Sequence, residues 1–106
     1  MRYSTLRDGW RAPFDRWVEL RAGGMRRLAA ARDLSVRGIG LSLPGPLPQR
    51  RSVVVSEFAL PGITLPLALD GVVVWTDPSA SRIGIQFLEV DPGLAELLDS
   101  YVAGRL

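Results

Sequence analysis

The 106-residue chain contains no cysteine, no histidine and no lysine. Without cysteine or histidine there is no disulfide, no Cys/His zinc site, no catalytic triad and no haem ligation. A metal would have to be held by carboxylates alone, and no cofactor or metal site is expected. Long apolar runs are also missing. The longest span a few residues, far short of the roughly 20 needed to cross a bilayer. The N-terminal MRYSTLRDGWR carries no apolar signal-peptide core. A cytoplasmic protein without membrane insertion is the expectation. The length suits one domain, which buries enough surface to fold without staples.

All 13 basic residues are arginine. A GC-rich genome accounts for the missing lysine but not for the placement of the arginines. Residues 1–51 hold 11 Arg and a net charge of +7, whereas residues 52–106 carry −5. A basic first half points to an anionic partner, with phosphate the expected chemistry.

Turn signals punctuate the chain. Gly23-Gly24 separates FDRWVELRA from MRRLAAARD, a hairpin pattern. Ser35–Gly38 forms a second turn before IGLSL, and Pro44–Pro48 is a loop that a central strand would not tolerate. SVVVSEFAL, ITLPLAL, VVVWT and RIGIQFLEV then read as short strands, parted by Pro61-Gly62, Asp70-Gly71 and Asp77-Pro78. The spacing predicts a mainly β fold, a small antiparallel barrel or sandwich. Asp91-Pro92 opens a helix of about 92–103, with Leu94, Leu97, Leu98, Tyr101 and Val102 on one stripe and Gly104 as its stop. That helix is expected to cover an open side of the barrel. Residues 1–11 read as a flexible basic arm, and residues 12–106 as the domain.

Two short motifs carry the chemistry. Arg7 and Arg11 lie four apart, flanking Trp10. Asp33-Leu34-Ser35-Val36-Arg37-Gly38 is a D-x-S-x-x-G turn. Each alone has a plain reading: a solvated arm, and a turn in which Asp and Ser bond nearby backbone while Gly takes positive φ. Together, in this order and spacing, they resemble the RxxxR and [D/N]xSxxG motifs of the PilZ domain family. VVVWT, RIGIQF and LAELLDSYV are similar to the family's late strands and closing helix, so the likeness runs from residue 7 to about 103.

The resemblance implies a six-stranded barrel that binds cyclic di-GMP through Arg7, Arg11, Asp33, Ser35 and Gly38. The ligand's chemistry agrees with those residue types. Guanine O6 and N7 accept from an arginine fork. Its N1–H and N2–H₂ suit the Asp33 carboxylate, and Ser35 can bond beside it. Arg32 and Arg37 could reach the same ligand, as could Trp10 and Trp75, with solvated or packing roles as their alternatives. Trp17 reads as core or barrel surface, and Arg26-Arg27 and Arg50-Arg51 as solvated faces that add to the attractive field. The implied protein is a receptor or adaptor that signals to an effector protein in motility, pilus or exopolysaccharide control. Two other readings stand beside it: a nucleotide-independent PilZ-type scaffold, and a single-stranded nucleic-acid barrel, for which the chain has few exposed aromatics. No DNA or RNA partner is expected, and no paired carboxylates suggest an enzyme.

Overall fold

A computed structural model describes residues 11–104. Seven strands follow one another: β1 (Arg11–Pro13), β2 (Trp17–Ala22), β3 (Met25–Ser35), β4 (Gly38–Ser42), β5 (Val53–Phe58), β6 (Leu67–Asp77) and β7 (Arg82–Phe87). One helix, α1 (Pro92–Val102), ends the chain. Every pairing is antiparallel, and the order β3-β2-β5-β6-β7-β4 closes through a β3–β4 pairing. The result is a closed six-stranded barrel, as the family resemblance implies. The additional strand, β1, pairs with Ser35–Asp33 of β3 on the edge that β2 occupies further along. Pro13 suits such an outer strand because it has no N–H to offer a further neighbour.

Period-2 alternation explains why these segments form a barrel. Leu20, Ala29, Ala31, Leu41, Val54, Leu69, Val73, Ile83 and Ile85 all point inward and are buried. Gly23 (φ 57°) and Gly24 (φ 79°) make the β2–β3 hairpin, where two positive-φ residues match the strand twist.

Three expectations need correction. Asp70-Gly71 is not a turn but the middle of the 11-residue β6. The inward alternation of Leu69, Gly71 and Val73 continues through it. A Cβ at Gly71 would lie 2.5 Å from the Ile85 side chain, so close packing against β7, rather than a bend, requires this glycine. ITLPLAL supplies a strand only from Leu67, directly after Pro66. Arg11 belongs to the additional strand, not to an arm, since it opens β1 opposite Ser35. Residues 1–10, including Arg7 and Trp10, lie outside the described residues.

Helix α1 closes one end of the barrel. The Asp91 carboxylate accepts from Gly93 N (3.0 Å) and Leu94 N (3.3 Å), a cap worth about 0.5–2 kcal/mol. Gly104 (φ 77°) stops the helix. Leu98 and Val102 are buried, and burying each contributes about 1.5–3 kcal/mol. Tyr101 packs edge-on to Phe14, with ring centroids 5.3 Å apart. Its hydroxyl donates to Pro13 O at 2.8 Å, which ties the helix to β1.

Candidate functional site

The strand register lines up the candidate residues on one outer wall. Asp33 of β3 pairs with Gly40 of β4, Gly40 with Gly84 of β7, and Gly84 with Trp75 of β6. Directly paired residues share a face, so an acid and an indole flank two glycines. The glycines are there because the flanking side chains lie on them. A Cβ at Gly40 would sit 2.9 Å from an Asp33 carboxylate oxygen, and one at Gly84 would sit 2.0 Å from Trp75 Nε1. The carboxylate and the indole therefore lean over the backbone of the two middle strands. Local irregularities aim them. The β3–β4 register shifts between Ala31 and Asp33, and the β6–β7 register shifts between Val73 and Trp75. Bulges of this kind redirect the side chains beside them.

Arginine surrounds the acid. Arg11 Nε donates to Asp33 Oδ1 at 3.0 Å, and Arg11 Nη2 bonds the same oxygen. Arg82 Nη2 lies 3.8 Å from Asp33 Oδ2. The pair is only partly buried, with side-chain exposures of 19% for Arg11 and 31% for Asp33. Both carboxylate oxygens thus face a guanidinium; Oδ1 already accepts two bonds, whereas Oδ2 retains lone-pair capacity. A cleft beside the pair is lined by Arg11, Arg37, Gly38, Trp75 and Gln86. Trp75 is 42% exposed and lines this cleft.

The D-x-S-x-x-G turn follows its expected chemistry at Ser35 and departs from it at Gly38. Ser35 is fully buried. Its hydroxyl oxygen accepts from Arg37 N and Gly38 N, both at 3.1 Å. This closes the β3–β4 connection and sets Arg37 at its tip. Gly38 does not take positive φ. A Cβ there would lie 2.2 Å from Ile85 O, so glycine is required for the close approach of β4 to β7. Arg32 stands apart from the cleft residues, donating through Nε to Ser42 Oγ at 2.6 Å. Trp17, 68% exposed, is barrel surface rather than core.

Sequence reading thus foresaw Arg11, Asp33, Arg37, Gly38 and Trp75 as neighbours but missed Gly40, Gly84, Arg82 and Gln86. A signal existed: glycine at an outward position of two adjacent strands, in GIGLS and RIGIQF.

A family comparison decides what this wall belongs to. Residues 5–104 match the model of the PilZ domain. The chain belongs to the PilZ domain family. Solved PilZ structures share its fold. The PilZ domain of CeSA from a cellulose-synthesising bacterium superposes with a TM-score of 0.65 at 20% identity, covering 89% of this chain and 95% of that one. The PilZ domain of Escherichia coli YcgR, solved with cyclic di-GMP, gives 0.67 at 18% identity, covering 98% and 89%. The Bacillus subtilis inhibitor of motility MotI/DgrA gives 0.74 at 19% identity, and the match covers 90% of this chain but 48% of that protein. No curated protein sequence matches the chain. PilZ domains are binding and receptor domains, a family of cyclic di-GMP receptors and adaptors. Among the described residues no cluster of three acidic groups could hold a metal, and no helix is long and apolar enough to cross a membrane.

Proposed function

We propose that this PilZ domain is a cytoplasmic cyclic di-GMP receptor that signals to an effector protein without catalysing a reaction. The observation that carries the reading is the Asp33–Gly40–Gly84–Trp75 row with Arg11 and Arg37 at its edge. A guanine laid against Trp75 turns its N1–H and N2–H₂ donors toward Asp33. An arginine fork meets O6 and N7 on the opposite edge, and further guanidiniums meet the phosphates. Arg7 and Arg11 are the proposed forks, and Arg37 a phosphate contact. Ser35 and Gly38 act by shaping the turn. Arg82 keeps Asp33 partnered if Arg11 turns to the ligand, so no buried charge is stranded.

Titration calorimetry with cyclic di-GMP tests the reading. Ligand at 100 times its Kd stabilises by about 2.7 kcal/mol, which for this chain length raises the melting point by about 10 °C or more. GMP and cyclic AMP should do much less, since neither supplies two guanines and two phosphates. A flat titration with all three would leave a nucleotide-independent scaffold.

A further inference from the structure

The other end of the barrel holds a second surface that the nucleotide site does not use. Between the Gly23-Gly24 hairpin and the Pro44–Pro48 loop lies an open groove of about 700 Å³, within the size range of ligand sites. Its lining is mainly apolar and includes Leu20, Met25, Leu47 and Val53. Met25 is 63% and Val53 66% exposed, although both sit in strands. An adjoining hollow is lined by Pro46, Leu47, Pro48 and Arg50.

Charge distinguishes this groove from an ordinary apolar patch. Arg27 reaches across it and donates to Pro44 O and Pro46 O, which are neutral carbonyls. Its positive charge is therefore held in place but not cancelled. Arg50 lines the adjoining hollow and Arg51 follows it in the chain, whereas Arg26 faces Glu19 (Nε–Oε1 4.0 Å); no Asp or Glu lines either hollow. A third feature is independent of both. Ser52 N bonds Gln49 O at 3.0 Å, closing a turn whose third residue, Arg51, has φ 76°. A type II turn calls for glycine there. The chain supplies glycine at Gly23, Gly24, Gly45 and Gly62, all with positive φ, yet carries arginine at residue 51. Glycine is not universal at such positions, since Ser81 (φ 54°) and Glu89 (φ 43°) also take positive φ, so what ties the charge of Arg51 to the groove is its place in the chain between the lining residues Arg50 and Ser52.

We propose that this barrel mouth docks an acidic, leucine-bearing segment of a partner protein. Its apolar side chains would enter beside Met25, Leu47 and Val53, and its carboxylates would face Arg27, Arg50 and Arg51. The surface lies at the end of β3 away from Ser35. Arg27 of the groove lies six residues from Asp33 along β3, roughly 20 Å at about 3.3 Å each, while the adjoining hollow reaches Thr76, next to Trp75. The proposal stands whether or not cyclic di-GMP binds.

The test uses the whole chain and three fluorescein-labelled twelve-residue peptides. One alternates Leu with Glu, one replaces Glu by Lys, and one replaces Leu by Ser. Anisotropy should show the Leu/Glu peptide binding at least tenfold more tightly than either control. Amide shifts should gather at residues 22–28 and 45–53. Met25→Ser should weaken binding severalfold. Arg51→Gly should also weaken it severalfold while raising the melting point by about 2–5 °C, because it relieves the turn. Neither variant should alter the cyclic di-GMP titration. The proposal fails if the Lys peptide binds equally, if no peptide binds, or if shifts map to the β3–β4–β7–β6 wall. It also fails if a 15-nucleotide oligothymidylate binds the mouth more tightly, or if Met25→Ser merely dissolves a self-dimer seen by sedimentation.

Discussion

Arginine stands at both ends of β3, and the two ends employ it in opposite ways. Beside Ser35, Arg11 meets the Asp33 carboxylate, and the neighbouring wall is cut down to glycine so that polar and aromatic groups lie on bare backbone. Beside Met25, Arg27 grips two carbonyl oxygens over an apolar groove. The first arrangement pairs guanidiniums with a carboxylate and is rich in hydrogen-bonding groups. It suits a ligand that brings its own donors, acceptors and charge and can exchange partners with an existing ion pair. The second keeps its positive charge and gains most from apolar burial. Counting arginines does not separate these cases; the group each guanidinium touches does.

The largest expected effect falls on the first end. Arg7→Ala/Arg11→Ala should weaken cyclic di-GMP binding by about a hundredfold. It removes two charge-assisted bonds of about 1.5–3 kcal/mol each, and about 1.4 kcal/mol is one decade. The apo melting point should also fall by a few degrees, because Arg11 is built into β1 and holds a partly buried carboxylate. Arg27→Ala should do the reverse, loosening the Pro44–Pro48 loop with no change in nucleotide affinity. Calorimetry and melting curves on both variants check the contrast. If Arg27→Ala weakens nucleotide binding as much, the two ends form one site.

Next in size, Asp33→Ala should cost at least tenfold in affinity by removing the guanine acceptor. Its effect should not add to that of Arg11→Ala, since the two side chains touch. A double-mutant cycle by calorimetry measures the coupling. Additive losses would mean that Arg11 and Asp33 serve the ligand independently.

The sequence made the barrel legible wherever local chemistry and packing agreed. The Gly23-Gly24 hairpin, the Asp91-Pro92 cap and the inward alternation each rest on neighbouring residues alone. It misled where a residue answers to a distant strand. Asp70-Gly71 looks like a turn, but Gly71 is small because Ile85 packs against it. Gly38 looks like a positive-φ residue, but it is small because Ile85 O lies above it. The same limit hid half of the site. Asp33 and Arg37 stood out within a motif, whereas Gly40, Gly84 and Arg82 acquire meaning only when register sets them beside Asp33 and Trp75.

Gly84→Ala tests that register-dependent half. Its Cβ would fall 2.0 Å from Trp75 Nε1, so the partly exposed indole must move. Alanine also loses less backbone entropy on folding than glycine, so the melting point should stay within a few degrees. Nucleotide affinity should fall severalfold and the tryptophan emission spectrum should shift. Unchanged affinity alongside a shifted spectrum would show that Trp75 is not the stacking surface.

The smallest effect asks which carboxylate Arg82 serves, since Asp77 is its partner in the strand register and Asp33 its neighbour in space. The Asp77 carboxyl is held below its ordinary value of 3.8, chiefly by the Ser79 hydroxyl, which donates to it at 2.7 Å; Arg82 contributes least. A lowered carboxylate adds stability that is present above the unfolded value and disappears as pH falls through the folded one. Asp77 is fully exposed, so that contribution is small. Ser79→Ala should move the Asp77 titration, followed by carboxyl carbon NMR, upward toward 3.8. Arg82→Ala should move it less and should act instead on cyclic di-GMP affinity, by leaving Asp33 with Arg11 alone. A larger Asp77 shift from Arg82→Ala than from Ser79→Ala, with affinity intact, would assign Arg82 to the β6–β7 connection and remove it from the nucleotide wall.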